Sequence, residues 1–236
     1  MNPRRVPLAA LFGLLSLLLV SFGAQAQTKE ALDYLSPQES EIINELNLAR
    51  TRPQEYAANL EELRKLYAGK ELRRPGQTAE VTNEGVAALD EAISFLRSAK
   101  ALPPLGVAKG MCLAARDHIK DLERVNGAGH TGTDGTVPEE RLSRYGSWSK
   151  AVGENIAYSS TAAREIVIGW IIDDGTPSRG HRKAIFNADF SFAGIATGKS
   201  DAYGPLCVGV FTDSFKEKPV TGVAPADKSK PAARKF

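Results

Sequence analysis

The chain has 236 residues, of which 42% are hydrophobic, 25% charged and 7% aromatic. These fractions are typical of a globular protein and exclude a wholly disordered, collagen-like or disulfide-packed chain. The formal net charge is +2, but the charge is unevenly distributed along the chain. The body 27–215 carries 22 basic and 26 acidic residues, whereas the tail 216–236 carries a charge of +4. An acidic body provides no basic patch for nucleic acid, so we expect no nucleic-acid partner.

The amino terminus has the order of a secretory signal peptide. Arg4 and Arg5 precede an apolar run from Leu8 to Val20, and the small-x-small sequence Ala24-Gln25-Ala26 follows. This pattern predicts a signal peptide over 1–26 with cleavage after Ala26. The apolar run is shorter than the ~20 residues of a membrane span, and an uncleaved anchor is the alternative. We therefore expect a secreted or periplasmic bacterial protein with no transmembrane segment after cleavage.

Cys112 and Cys207 are the only cysteines. Export to an oxidising compartment permits one disulfide between them, and this bridge is our tentative expectation. The alternative is a pair of buried thiols that act as small hydrophobic side chains.

The first half of the body reads as helical. Ser36-Pro37-Gln38-Glu39 is a capping box that starts a helix, and Arg52-Pro53 ends or bends it. A second helix is predicted over 53–67, a loop over 69–82 and a third helix from Asn83. An extended connector over 102–105 precedes a fourth helix over about 108–125.

The second half of the body mixes helices with strands. The patterns predict a turn-rich loop over 130–135, a helix over 138–145, an extended segment over 152–158, a helix over 161–174 and a helical turn over 182–186. A hairpin over 192–197 and 206–212 follows, and its second strand is apolar on both sides, which is typical of a central strand. The tail 216–236 is predicted to be disordered. This order of elements predicts an α+β layered fold rather than a nucleotide-binding sheet.

Two of the three histidines follow a glycine in a loop or at a helix start, namely His130 and His181. Imidazole binds divalent metals and transfers protons near neutral pH, and loops on a scaffold are frequent positions for such groups. Two surface histidines without a function are the alternative. His118 lies within a predicted helix, where an ordinary, partly buried position is the simpler interpretation.

Among the acidic residues between the two loop histidines, four are candidates for a functional role: Glu154, Glu165, Asp173 and Asp174. Asp173 and Asp174 are predicted at a helix carboxyl terminus, where the helix dipole disfavours negative charge. An acid placed there needs a cation, a histidine or a metal as a partner, unless the helix end frays into solvent. Glu165 is favourable near a helix start without any functional reason.

These residues resemble the CAP superfamily of cysteine-rich secretory, antigen 5 and pathogenesis-related proteins, also called the SCP domain. The resemblance rests on a series of short motifs over about 39–215: Asn47-x-x-Arg50, 102–105, His130, Gly153-Glu154-Asn155, Trp170 with Asp173, Gly180-His181 and 207–211. It implies an α-β-α sandwich over 27–215, in which residues 53–100 are a helical insertion. It also implies a cleft in which His130, Glu154, Asp173 and His181 face each other, with Asp174 as a substitute for Asp173.

The resemblance implies two classes of function. The first is a secreted binding module that holds a divalent cation such as zinc in the cleft and binds a lipid, a sterol or a cell-envelope partner. The second is a hydrolase in which His130, Glu154 and His181 activate water. We favour binding because Ser159, Ser160 and Ser178 lie in no recognisable nucleophile motif. The basic tail either contacts an anionic envelope surface or serves as a solubilising end.

Overall fold

A computed structural model describes residues 34–158 and 160–218. The signal peptide predicted over 1–26 and the part of the predicted tail beyond residue 218 lie outside the described residues, as does Ser159. No helix in the described ranges is both long and apolar enough to cross a bilayer.

The centre of the molecule is a four-stranded sheet. Its strands are β4 (Gly106–Val107), β6 (Val152–Tyr158), β7 (Phe192–Ser200) and β8 (Gly204–Thr212), in the order β4-β7-β8-β6. Strand β4 pairs parallel to β7, and the other pairs are antiparallel. The central position predicted for the 206–212 strand is therefore confirmed, and β6 is an edge strand.

One face of the sheet is covered by α4 (Lys109–Val125) and α5 (Pro138–Tyr145). Helix α4 lies directly on β7 because that strand presents Gly194 to it. A Cβ atom at Gly194 would come within 2.3 Å of the Met111 carbonyl carbon and 2.5 Å of the Cys112 nitrogen. Val208 and Val210 of β8 are buried in the same cluster as Met111.

The other face is covered by α1 (Pro37–Thr51), α6 (Ala163–Ile172) and α7 (Gly180–Ile185). Trp170 of α6 is buried with Ile195 and Phe211, whose side chains point from β7 and β8 to this side. Helices therefore lie on both faces of the sheet. The α-β-α sandwich expected from the sequence is confirmed.

Helix α1 begins at the predicted capping box. The Ser36 hydroxyl accepts from the Glu39 nitrogen, and Glu39 accepts from the Ser36 nitrogen. Glu39 is 2% exposed and also accepts hydrogen bonds from Arg116 of α4 and from the Thr197 nitrogen of β7. The Glu39 carboxylate thus connects the start of α1 with the sheet and with the helix layer on the other face of the sheet.

The Asn47-x-x-Arg50 motif ties α1 to two neighbouring segments. The Asn47 side chain bonds both the nitrogen and the carbonyl oxygen of Leu105 in the connector. Arg50 is 1% exposed and donates to the carbonyl oxygens of four residues, with no carboxylate among its partners: Pro103, Ile185, Asn187 and Phe190. Burial lowers the pKa of Arg50 to about 10. This motif therefore has a structural role: it ties α1 to the connector before α4 and to the residues at the end of α7 and after it.

Residues 53–100 contain more than helices. Helices α2 (Pro53–Arg64) and α3 (Val86–Ser98) pack against each other, and between them run three two-residue strands, β1 (Tyr67–Ala68), β2 (Glu71–Leu72) and β3 (Glu80–Val81). The loop predicted over 69–82 is therefore wrong, because β2 pairs with both neighbours in a small antiparallel sheet. Strands this short carry no alternating pattern that a sequence could reveal.

Two further expectations need correction. The disordered tail was expected to start at residue 216, but β9 (Lys216–Glu217) pairs with β5 (Gly146–Ser147). The expected Cys112–Cys207 disulfide is not formed, because both cysteines are free, buried thiols. Burial raises the pKa of Cys112 to about 12 and also raises that of Cys207, so neither thiol is activated.

Candidate functional site

A buried carboxylate orients the exposed imidazole of His130. Glu154 is on edge strand β6, and its side chain is 2% exposed on the α4 side of the sheet. Its Oε1 accepts from His130 Nδ1 at 2.9 Å. Because a carboxylate only accepts, the His130 proton lies on Nδ1 and the Nε2 lone pair is free to bind a ligand. The His130 side chain is 52% exposed, so that lone pair is accessible from solvent.

Arg141 of α5 occupies the other oxygen of Glu154. Its Nη2 donates to Glu154 Oε2 at 2.8 Å and to the His130 carbonyl oxygen at 3.0 Å, and its side chain is 3% exposed. The guanidinium thus compensates the buried carboxylate and fixes the backbone of the histidine. Nothing in the sequence of α5 singled out Arg141, because charged residues are common in an eight-residue surface helix.

The loop that carries His130 is fixed by polar contacts at both ends. Asp121 of α4 accepts from the nitrogen and the hydroxyl of Thr133, and Gly129 donates its N–H to the Tyr158 hydroxyl. His118 of α4 is fully buried, and its Nε2 bonds the Gly129 carbonyl oxygen at 2.8 Å. The histidine that we expected to be an ordinary helix residue therefore supports the residue next to His130.

The second imidazole is oriented in the same way. Asp173 follows α6 in the left-handed region, with φ 57°, and its Oδ1 accepts from His181 Nδ1 at 2.7 Å. Its Oδ2 accepts the N–H of His181 at 2.8 Å and the N–H of Arg182 at 3.4 Å. Burial acts to raise the pKa of Asp173, but the hydrogen bonds and charge of His181 outweigh it and hold this pKa below its usual value.

The two acids after α6 have different partners. Asp173 bonds His181, whereas Asp174 accepts the backbone N–H groups of Asn83 and Glu84 at 2.6 and 2.7 Å. This agrees with the expectation that acids at a helix carboxyl terminus need partners. Glu165 accepts from the Ser160 hydroxyl and has no contact with either imidazole.

The two histidine–carboxylate pairs meet at adjacent residues of β6. Glu154 bonds His130, and the next residue, Asn155, is fully buried and donates from Nδ2 to the His181 carbonyl oxygen at 3.1 Å. Successive strand residues point to opposite faces, so Glu154 contacts the His130 loop on the α4 side of β6 and Asn155 contacts the start of α7 on the other side.

The carboxylates are engaged as partners of the imidazoles and do not form a cage for a metal. Within the described ranges, no three His, Cys, Asp or Glu side chains are grouped closely enough to hold a metal ion. Zinc sites built wholly of protein ligands use three or four side chains, and the ligand set of His130, Glu154, Asp173 and His181 that the resemblance implies stays a prediction. What the described residues do show is that each of the two imidazoles has a carboxylate at its Nδ1, which is the outer partner that metal-binding histidines commonly have.

A separate groove of about 1030 Å³ lies between α2, the small β1–β3 sheet and α6. Apolar side chains of Leu63, Leu66 and Ile168 contribute to its walls. Gly169 is an exposed lining residue of this groove, and an added Cβ there would meet no atom within 4 Å.

Comparison with known proteins places this fold and these motifs in a family. The model of the CAP family, described as the cysteine-rich secretory protein family, matches residues 91–211, which is about half of the chain. That segment contains both histidine–carboxylate pairs. The class defined by the sandwich and the histidine–carboxylate pairs beside its edge strand is therefore the SCP-type domain, and the chain belongs to the cysteine-rich secretory protein family.

Two solved structures are similar to this chain over about half of its length. An extracellular protein containing an SCP domain from Bacillus anthracis shares 24% identity with a TM-score of 0.40, and the match covers 55% of this chain and 40% of that one. An outer surface protein from Borrelia burgdorferi shares 23% identity with a TM-score of 0.41, and the match covers 50% of this chain and 80% of that one. A search of curated proteins gave no match.

Proposed function

We propose that this protein is an exported binding module in which His130 and His181 present their Nε2 atoms to a divalent cation such as zinc. The observation that carries the proposal is that each imidazole donates its Nδ1 proton to a buried carboxylate. This arrangement fixes the tautomer and raises the basicity of a metal-binding histidine. A cation held by imidazoles supplies open coordination positions for an oxygen atom of a ligand.

Calorimetric titration with zinc tests this proposal. We expect the wild type to bind zinc and the His130→Ala, His181→Ala double variant to lose at least tenfold in affinity. Glu154→Gln and Asp173→Asn should each lower the affinity roughly 10- to 100-fold, because they remove an outer partner without removing a ligand. Glu165→Gln is the matched control, since Glu165 accepts from the Ser160 hydroxyl, has no contact with either imidazole and should leave zinc affinity unchanged. Equal affinities for the wild type and the double-histidine variant would contradict the proposal.

For the bound partner, we propose a lipid or sterol of the cell envelope. The family resemblance and the predicted signal peptide support the location, and the groove over Gly169 has enough volume for such a ligand. We expect Gly169→Trp to abolish binding of a fluorescent fatty acid or sterol, because the indole fills open space in the groove. The His130→Ala, His181→Ala variant is the control and should retain that binding. Unchanged binding by Gly169→Trp would show that the ligand lies elsewhere.

A hydrolase is the second candidate, because an accessible imidazole oriented by a buried carboxylate is also the arrangement of a general base. No hydrogen bond among the described residues joins a Ser, Thr or Cys side chain to His130 or His181, so water would be the nucleophile. Turnover of a peptide, ester or peptidoglycan substrate that disappears in Glu154→Gln would favour this candidate over the binding module.

A further inference from the structure

The turn that joins α6 to α7 and precedes His181 contains two residues in an unfavourable backbone conformation. Asp173 and Arg179 have φ values of 57° and 52°. Side chains with a Cβ atom disfavour this left-handed region, and neither residue is a glycine. Contacts from outside the turn are therefore needed to hold it in this conformation.

Those contacts come from the start of α3. Asp174 accepts the N–H of Glu84 at 2.7 Å, and Glu84 Oε1 accepts the N–H of Gly175 at 2.9 Å. An added Cβ at Gly175 would approach Asn83 Nδ2 to 2.6 Å, which shows how closely the two segments pack. The turn and the helix start thus bind each other through both backbone and side-chain groups.

The guanidinium of Arg179 is held by two carboxylates, that of Glu84 just before α3 and that of Glu91 within this helix. Its Nη1 and Nη2 donate to Glu84 at 2.6 and 2.7 Å, and its Nε and Nη2 donate to Glu91 at 3.0 and 2.7 Å. Arg179 also donates from Nη1 to the Asp173 carbonyl oxygen at 2.9 Å. Glu91 accepts in addition from Arg182, the residue after His181, at 2.8 Å. The two glutamates therefore bind the turn at both of its ends.

We propose that Glu84 and Glu91 are positioning residues for His181. They hold the left-handed residues Asp173 and Arg179 in place, and so keep the Asp173 carboxylate at Nδ1 of the imidazole. The family model matches from residue 91 onwards, so Glu84 belongs to a part of the chain that the family model does not cover. The effect on cation affinity rests on the function proposed above, whereas the effect on the turn does not.

The test compares the full chain with the Glu84→Ala, Glu91→Ala double variant. The matched control is Glu61→Ala, Glu62→Ala, which removes two carboxylates from α2 whose ion partners are Arg97 and Lys65. The first readout is the strong intraresidue Hα–HN nuclear Overhauser effect of Arg179 and Asp173, which reports a positive φ. The second is the zinc affinity measured by calorimetry.

We expect the double variant to lose both signals and to bind zinc roughly tenfold more weakly, while the control keeps the signals and the affinity of the wild type. Adding His181→Ala to the double variant should then cost less affinity than it costs in the wild type. If the wild type binds no zinc but the signals disappear in the double variant, the positioning role stands and the cation function fails. Signals retained in the folded double variant overturn the positioning role, whatever the zinc result.

Discussion

Each of the imidazoles of His130 and His181 is paired with one carboxylate that is almost fully buried. Glu154 and Asp173 have side chains that are 2% and 1% exposed, and each accepts the Nδ1 proton of one imidazole. A buried carboxylate is stable only when it is paired and hydrogen-bonded. Arg141 completes the pairing of Glu154, and two backbone N–H groups complete that of Asp173. The same contacts that stabilise the fold therefore fix the orientation of the rings.

A third histidine makes the stability of this region depend on pH. Burial lowers the pKa of His118, and the charge of Glu154 opposes this effect without cancelling it. Its Nδ1 has no hydrogen-bond partner among the described residues, so the protonated ring would bury an unpaired donor. Because the unfolded chain binds the proton more readily, stability is full above the unfolded pKa of about 6.5 and falls as the pH drops below it.

We therefore expect the free energy of unfolding in urea to fall between pH 7 and pH 5 by up to about 1.4 kcal/mol per pH unit from this one group. His118→Gln retains a donor for the Gly129 carbonyl oxygen and removes the titration, so its unfolding free energy should change less over the same range. Asp173 does not contribute to this difference, because its lowered pKa affects stability only at more acidic pH. Identical pH dependence in both proteins would refute the role given to His118.

The elements show which features a sequence can predict. The helix over 138–145 and the extended segment over 152–158 have the predicted bounds, and for the helix the reason is that Pro138 and Gly146 mark its ends. The two-residue strands β1 to β5 and β9 were not predicted, since two residues are too few to show the apolar/polar alternation of a strand. Arg141 also escaped, and Asn155 was recognised only as part of a motif, because the contacts of both depend on which segments the fold brings beside them.

The contact between α4 and the sheet depends on a missing side chain. Helix α4 carries His118 and holds the His130 loop, and it approaches β7 at Gly194. We expect Gly194→Ala to destabilise the protein by about 1–3 kcal/mol, because the new Cβ would clash with the backbone of Met111 and Cys112. Gly169→Ala is the matched control, since it adds a Cβ in open space within a helix and should stabilise by about 0.5–1 kcal/mol. Urea unfolding of the two variants measures both effects, and equal stability would contradict the close approach.

The whole molecule is a sandwich whose edge strand is flanked by the two histidine–carboxylate pairs. The resemblance predicted the sandwich and implied a cleft with His130, Glu154, Asp173 and His181, while spacing alone left the histidines open to an ordinary surface role. The helix dipole predicted that Asp173 needs a cation, a histidine or a metal as its partner, and the fold supplies His181. The pairing of Glu154 with His130 and Arg141 was not predictable, because it depends on which segments the fold brings beside β6.

The most direct test of this account is a long-range ¹H–¹⁵N spectrum of the three imidazoles, recorded at neutral pH without and with one equivalent of zinc. The account predicts that His130 and His181 carry their proton on Nδ1, and that zinc shifts the Nε2 resonances of both rings together and leaves His118 unchanged. Protons on Nε2 of either ring, or zinc shifts confined to a single ring, would contradict it.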